Sequence, residues 1–420
     1  MKKLFTLVLA TAVVMVGSLV APKSAEAVPA FARQVGVSCT ACHFQHLPKL
    51  NAFGRAFKLG GMTQTSQDLL EDDGLSIGQT LGLGMIIKYR YKKTAEVVDA
   101  DIATGKERGQ WNMPDEIALF IGGRMGEHWG YLTEGAQTGT HNKVIYTTDV
   151  SGITAGAIVY STDGGGPAYS MEIVNNSQRF NRAFENRTEA HAQFALGNGI
   201  SHGAAVGLSA YASNELFFAN VGLYGPGDPG NADVGFGMAK YIRVALTPKV
   251  GDGMDVIVGY AMTTGEVTAG VDSTNTGCVD DSGTAADCAT KVSTNQIDAQ
   301  LQMEDVGGMS LEVDFALRTD PADDGLAANE VNVFNSGAED ESAMSIGGDL
   351  GIGHNGVKAS FLSITSKGGT LDNDYTVLSV GGWYAFAQNV ELVLEYSMYS
   401  GEDDIIPHKS YMLVMLEAGL

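Results

Sequence analysis

The run LGLGMIIKYRYKK (residues 81–93) decides the fold. Leu81, Leu83, Met85, Ile87, Tyr89 and Tyr91 alternate with Gly82, Gly84, Lys88, Arg90 and Lys92, so a strand built from it has one apolar face and one basic or small face. The same period of two returns downstream. Ile297, Ala299, Leu301 and Met303 alternate with Asp298, Gln300, Gln302 and Glu304. In SLEVDFALR (310–318), Leu311, Val313, Phe315 and Leu317 oppose Glu312, Asp314 and Arg318. In NVELVLEYSM (389–398), Val390, Leu392, Leu394, Tyr396 and Met398 oppose Glu391 and Glu395. About sixteen to eighteen such segments fit between Leu75 and Leu420, most near the ~10 residues that a tilted strand needs to cross an outer membrane.

The connections between these segments differ in length. Tight ones such as DVGGM and GHNG lie among long acidic or polar ones at 93–112, 176–188, 264–293 and 319–341. Bacterial barrels have this asymmetry, with short periplasmic turns and long outer loops. Tyr89, Tyr91, Trp129, Tyr131, Trp383, Tyr384, Tyr396 and Tyr411 fall near segment ends, where an interfacial aromatic girdle would sit. The expected fold class is therefore mainly β, a transmembrane antiparallel β-barrel of about 16 strands. The competing architecture is a soluble secreted β-sandwich or propeller, whose strands also alternate.

Composition agrees with strands and turns. Of 420 residues, 54 are glycine and 18% are charged, against the ~25% charge usual in soluble domains. The N-terminus reads as a signal peptide over residues 1–27: Lys2-Lys3, an apolar run from Leu4 to Val20, then Ala25-Glu26-Ala27 as the cleavage site. The chain has 26 Lys and Arg against 49 Asp and Glu; removing Lys2, Lys3, Lys23 and Glu26 leaves 23 against 48, a net charge of −25. That field repels nucleic acid and attracts cations.

Residues 28 to about 70 have a different character, short and helical. In PKLNAFGRAFKLGG (48–61), Leu50, Phe53 and Phe57 recur at helical spacing, Pro48 suits a first turn and Gly60-Gly61 a stop. Just upstream lies Cys39-Thr-Ala-Cys42-His43. Two thiols three residues apart on one turn each add to a haem vinyl group, and the following imidazole reaches the iron. No second ligand pair of a zinc site and no thioredoxin-like βαβ context accompanies the motif. The expectation is one covalently bound haem c, held by Cys39 and Cys42, with His43 as an axial ligand. His46 would lie on the same side of the iron as His43, as a haem-edge or surface residue. Met62 is the candidate for the second axial position, beside Met85, a histidine from the barrel wall, or an open site. Arg55 and Lys58 suit either the haem propionates or a solvated helix face. Cys278 and Cys288, in a polar loop without histidine, suit a local disulfide.

With PAFARQ, CTACH and LPKLNAFGRAFKLGG ahead of a strand-rich remainder, the chain resembles the fused monohaem cytochrome c–porins of iron-oxidising bacteria. The match covers about thirty-five residues; over the barrel the resemblance is architectural. It implies a cytochrome c domain at 28–74, a porin-like barrel at 75–420, and an outer-membrane oxidoreductase of the iron:cytochrome c reductase type. Such a protein takes an electron from extracellular Fe(II) and passes it to a periplasmic c-type cytochrome. No carboxylate-rich ferroxidase cluster is evident; the acidic stretches VDD (279–281), AEDE (338–341) and GEDD (401–404) are weak cation attractors or ordinary solvated loops. Two rivals stand beside this: a conduit for another donor or acceptor, and a diffusion porin in which the haem domain is a plug or sensor.

Overall fold

The computed structural model describes residues 30–73, 75–79, 82–95, 109–135, 141–174, 184–196, 200–201, 203–227, 238–251, 253–269, 288–304, 307–322, 330–332, 340–366, 374–402 and 406–419, with backbone alone for 268–269, 288–290, 330–332 and 366. The signal-peptide expectation and the Cys278–Cys288 disulfide lie outside the described residues.

The alternating runs at 83–92, 297–303, 310–318 and 390–398 lie in strands. After a separate hairpin, β1 (Leu69–Asp72) with β2 (Leu75–Gly78), the wall is built from β3 (Leu83–Ala95), β4 (Gln110–Gly126), β5 (Trp129–Glu134), β6 (His141–Val150), β7 (Ile153–Thr162), β8 (Ala205–Ser213), β9 (Phe217–Gly225) and β10 (Ala239–Leu246). It continues through β11 (Met254–Ala269), β12 (Cys288–Met303), β13 (Met309–Asp320), β15 (Glu341–Ile352), β16 (Asn355–Ser366), β17 (Tyr375–Ala387), β18 (Val390–Ser400) and β19 (Ser410–Gly419). The short β14 (Glu330–Asn332) lies parallel on β12 and does not interrupt the direct pairing of β13 with β15. Among the described residues sixteen antiparallel strands thus close a barrel, β19 meeting β3 from Ser410↔Ala95 to Gly419↔Ile86. The wall starts at Leu83, since Leu75–Gly78 belongs to the hairpin.

The two faces sort by polarity in the sense a membrane requires. Thr294, Gln296, Asp298, Gln300 and Gln302 of β12, with Glu312, Asp314, Arg318 and Asp320 of β13, are buried toward the lumen. Val159, Leu246, Val221 and Ile346 are more than half exposed on the outside. A closed ring of strands satisfies every ladder hydrogen bond within the wall, which is what lets backbone cross hydrocarbon. Closure removes the sandwich alternative: the chain is an outer-membrane β-barrel. No helix among the described residues is long and apolar enough to cross a membrane.

One end of the barrel carries tight turns, as at Ser151-Gly152 (φ 56° and 80°), Gly353-His354 and Gln388-Asn389; the other carries the long connections. Two inserts fill the lumen. The N-terminal segment enters at the tight-turn end. The connection from β7 to β8 is much longer than the 176–188 stretch marked by its polarity, and its described residues fold inward instead of outward. Its first part packs on one wall: Lys143 donates to the Tyr169 carbonyl (2.6 Å) and Asn220 to that of Met171 (2.9 Å). Its second part meets strands on the other side, Glu185 N donating to Glu395 (2.7 Å) and Arg318 to the Gln193 carbonyl (2.9 Å). Val35, Phe57 and Met62 of the N-terminal segment, Met171 and Ile173 of the inward connection, and Leu132, Ile145 and Ile158 of the wall form one apolar cluster. The core thus sits inside the lumen.

Two aromatics depart from the girdle expected of them: Tyr411 shares the lumen face of β19 with Leu413 and borders the lumen, and Trp383 does likewise on β17. Trp129 and Tyr89 are exposed, whereas Trp383 is turned inward and donates to Asp349 (3.0 Å). Its position in the alternation put it on the lumen face, and an indole N–H needs a partner when buried.

Candidate functional site

The segment that enters the tight-turn end consists of α1 (Ala30–Val35), the single turn α2 (Cys39–Cys42) and α3 (Ala52–Leu59). Residues of LPKLNAFGR tie these pieces together. Asn51 caps α3, its side chain accepting from Gly54 N (3.0 Å), while its own amides donate to the Ala41 and Cys42 carbonyls (3.1 and 3.0 Å). One residue therefore closes the start of one helix and the end of another. Gly54 is where α3 crosses the Cys-x-x-Cys turn: a Cβ there would lie 2.1 Å from the Cys42 carbonyl oxygen. Only glycine allows that approach.

Cys39 and Cys42 are both thiols one helical turn apart. Burial raises the pKa of each, and the neighbouring Cys39 adds to the shift of Cys42. The His43 backbone N–H donates to Cys39 O (2.9 Å), and its Nδ1 is 3.0 Å from the Lys49 carbonyl. A carbonyl can only accept, so Nδ1 carries the proton and Nε2 keeps its lone pair. Burial lowers the His43 pKa to about 4, so the ring is neutral near pH 7. Cys39 and His43 border a cavity of about 260 Å³ between this segment and the wall, lined also by His46, His354, Trp383, Asn389 and Glu391. It lies among the β15–β16 and β17–β18 turns, at the tight-turn mouth.

A buried charge cluster fixes the segment to the wall. Lys49 Nζ is 3.0 Å from both Asp349 and Glu312, all three with side chains at most 1% exposed. Burial opposes the Lys49 charge, but Asp349 and Glu312 outweigh it and hold its pKa above the ordinary value. Asp349 also receives the Trp383 N–H and faces His46 Nε2 (3.2 Å). Gln45 donates to the Ser310 and Asp349 carbonyls.

Arg55 and Lys58, expected at the propionates or in solvent, do neither. Arg55 donates to Gln302 (2.7 Å) and Asp255 (2.9 Å), and Lys58 to the Glu172 carbonyl of the inward connection (2.7 Å). Neither borders the cavity. Burial pulls the Lys58 pKa down to about 8, with Glu172 opposing. The basic face of α3 is docked because the lumen is acidic; Phe53, on the expected apolar stripe, is left 39% exposed. Met62 is also away from the cavity, buried in the core with Ile145 and Leu132. Met85 shares the outward face of β3 with Leu83 and Tyr89. His46, expected at the haem edge or the surface, borders the cavity but is buried.

Sequence reasoning missed Lys49, Asp349, Glu312, His354 and Trp383 as site residues. Inward parity could have flagged Asp349 and Glu312; nothing local pairs them with Lys49. A second cavity, about 530 Å³, lies higher in the lumen, where Lys88, Arg90 and Lys92 face Asp115, Glu116 and Glu185.

No protein-family model matches the chain, and no curated protein matches it. Similar solved structures include OmpT of Vibrio cholerae (10% identity, 84% of this chain and 100% of that one, TM-score 0.45). A Salmonella typhi OmpF complex with daunomycin (11%, 84% and 100%, 0.47) and a refined porin (12%, 81% and 100%, 0.45) are others. Likeness at this level adds nothing to what the strand closure already establishes.

Proposed function

We propose that this outer-membrane barrel is an electron-transfer protein carrying one haem c at its periplasmic mouth. The observation that carries the reading is the Cys39–Cys42–His43 turn, whose Cys39 and His43 border a cavity between the N-terminal segment and the barrel turns. The residues fit the group. Cys39 and Cys42 would hold it covalently, and His43, its Nδ1 already bonded to Lys49 O, presents Nε2 as a ligand. When bound, haem c supplies a one-electron couple. The chain's own residues do the rest. Asn51 and Gly54 set the turn, Lys49 with Asp349 and Glu312 clamps it to the wall, and the apolar cluster around Phe57 and Met62 packs behind it. Because the short turns of such barrels are periplasmic, a soluble c-type cytochrome can reach this mouth. The electron donor is Fe(II) arriving from the long-loop side, concentrated by the −25 charge of residues 28–420. The chain is then an oxidoreductase of the iron:cytochrome c reductase type, consistent with the resemblance of PAFARQ, CTACH and LPKLNAFGRAFKLGG to fused cytochrome–porins.

A second reading, a diffusion porin whose haem segment is a plug, is favoured by the 530 Å³ lumen cavity lined by opposed charges. Anaerobic addition of Fe(II) to the detergent-purified protein separates them. Reduction of the haem absorption bands supports the first reading. A porphyrin-bearing protein that stays oxidised, yet passes small solutes in liposomes, supports the second.

A further inference from the structure

We infer that the second axial ligand of the haem iron is His354, contributed by the β15–β16 turn of the barrel. The inference rests on the haem reading above and assigns a position that reading leaves open.

The cavity is lined on one side by residues Cys39 to Leu47 and on the other by the barrel turns. Iron bound through His43 needs a further nitrogen or sulfur donor from this lining, or none. Among the described lining residues the imidazoles are His43, His46 and His354, and no methionine is present. His46 is committed at both nitrogens: Nδ1 lies 2.7 Å from the Leu47 carbonyl and Nε2 3.2 Å from Asp349, with the ring 5.0 Å from that of Trp383. Withdrawing it would leave buried Asp349 short of a donor. Met62 is held in the core by its neighbours, and its carbonyl receives Gln34 Nε2 (2.7 Å).

His354 differs on each point. Its imidazole is exposed at the cavity rim, with no hydrogen bond or ion pair among the described residues. The backbone beneath it is held, its carbonyl accepting from Ala385 N (2.7 Å), and Gly353 takes φ 60° to make the turn. An exposed side chain without a hydrogen-bond partner among the described residues, on a fixed turn, is suited to bind iron without disturbing the wall. The consequence is mechanical: one ligand comes from the inserted segment and one from the barrel, so haem binding locks the two together.

The test uses the full-length protein in detergent, with haem content measured by pyridine haemochrome. Wild type should give a low-spin ferric spectrum. His354→Ala should keep its covalent haem and its heat-modifiable gel mobility but turn high-spin, and added imidazole should restore the low-spin signal. His354→Met should stay low-spin with a raised midpoint potential, because a thioether favours the reduced iron. A high-spin wild type, or a His354→Ala protein with unchanged spectrum and potential, overturns the assignment while leaving the haem reading intact. Wild type without porphyrin overturns both. Should His354→Ala not accumulate, His354→Met decides alone, an unchanged potential counting against the assignment.

Discussion

Replacing Lys49 by Met isolates what holds the inserted segment in place. The ammonium sits between Asp349 and Glu312 at 3.0 Å each and also donates to Gln45 (3.1 Å), with no exposure of its own. Removing one partner of a buried pair typically costs about 3–5 kcal/mol, because the remaining charge is left without compensation. Asp349 keeps the Trp383 N–H and His46, and Glu312 keeps Gln302 (2.6 Å), so the low end, about 3 kcal/mol, applies here. At ~1.4 kcal/mol per decade that is roughly a hundredfold rise in the released population. The barrel ladders do not involve Lys49 and should be untouched. Hydrogen exchange in lipid nanodiscs reads this directly: the amides of His43, Asn51 and Arg55 should exchange about a hundredfold faster in Lys49→Met, while those of β15 and β16 hold. An acceleration below about threefold, worth under ~0.7 kcal/mol, would show that the cluster does not anchor the segment.

Three further outcomes follow from the same geometry. Gly54→Ala pushes a methyl into the Cys42 carbonyl, a backbone atom that cannot step aside; overpacking of this kind costs about 1–3 kcal/mol, and haem incorporation measured by in-gel peroxidase stain should drop. Arg243→Met leaves buried Asp298 and Glu172 without the guanidinium that reaches them at 2.8 and 3.0 Å, so about 3–5 kcal/mol of hold on the inward connection is lost and single-channel conductance should rise; unchanged conductance would mean that this connection does not gate the lumen. His191, buried in that connection, has its pKa lowered by burial to about 4 from an ordinary value near 6.5. Its folded pKa lies below the unfolded one, so the unfolded state binds more protons between these values: stability is intact above pH ~6.5 and falls by up to about 3 kcal/mol as pH drops toward 4. His191→Phe should flatten that slope in a proteolysis assay of residues 184–196.

The strands were legible because alternation is a local property. Successive side chains point to opposite faces, so Asp298 and Gln300 declare one face and Ile297 and Leu301 the other before any partner is known. The Cys39–Cys42–His43 turn was legible for the same reason: its chemistry needs only residues within one helical turn. The aromatics were legible in part. Trp129 faces outward as a girdle residue does, while Trp383 obeys its own parity and turns to Asp349.

What the amino acids alone determined is the barrel, its face polarity and the thiol–imidazole turn, each set by contacts within a few residues. Only the tertiary structure decided that Lys49 meets Asp349 and Glu312, that Arg55 and Lys58 are docked, that residues 163–174 and 184–196 fold into the lumen, and that His354 shares a cavity with His43. These pairs lie up to some three hundred residues apart and depend on how sixteen strands close in register. A basic helix face looks the same to water as to a lumen lined with carboxylates, so no local pattern distinguishes a solvated face from a docked one.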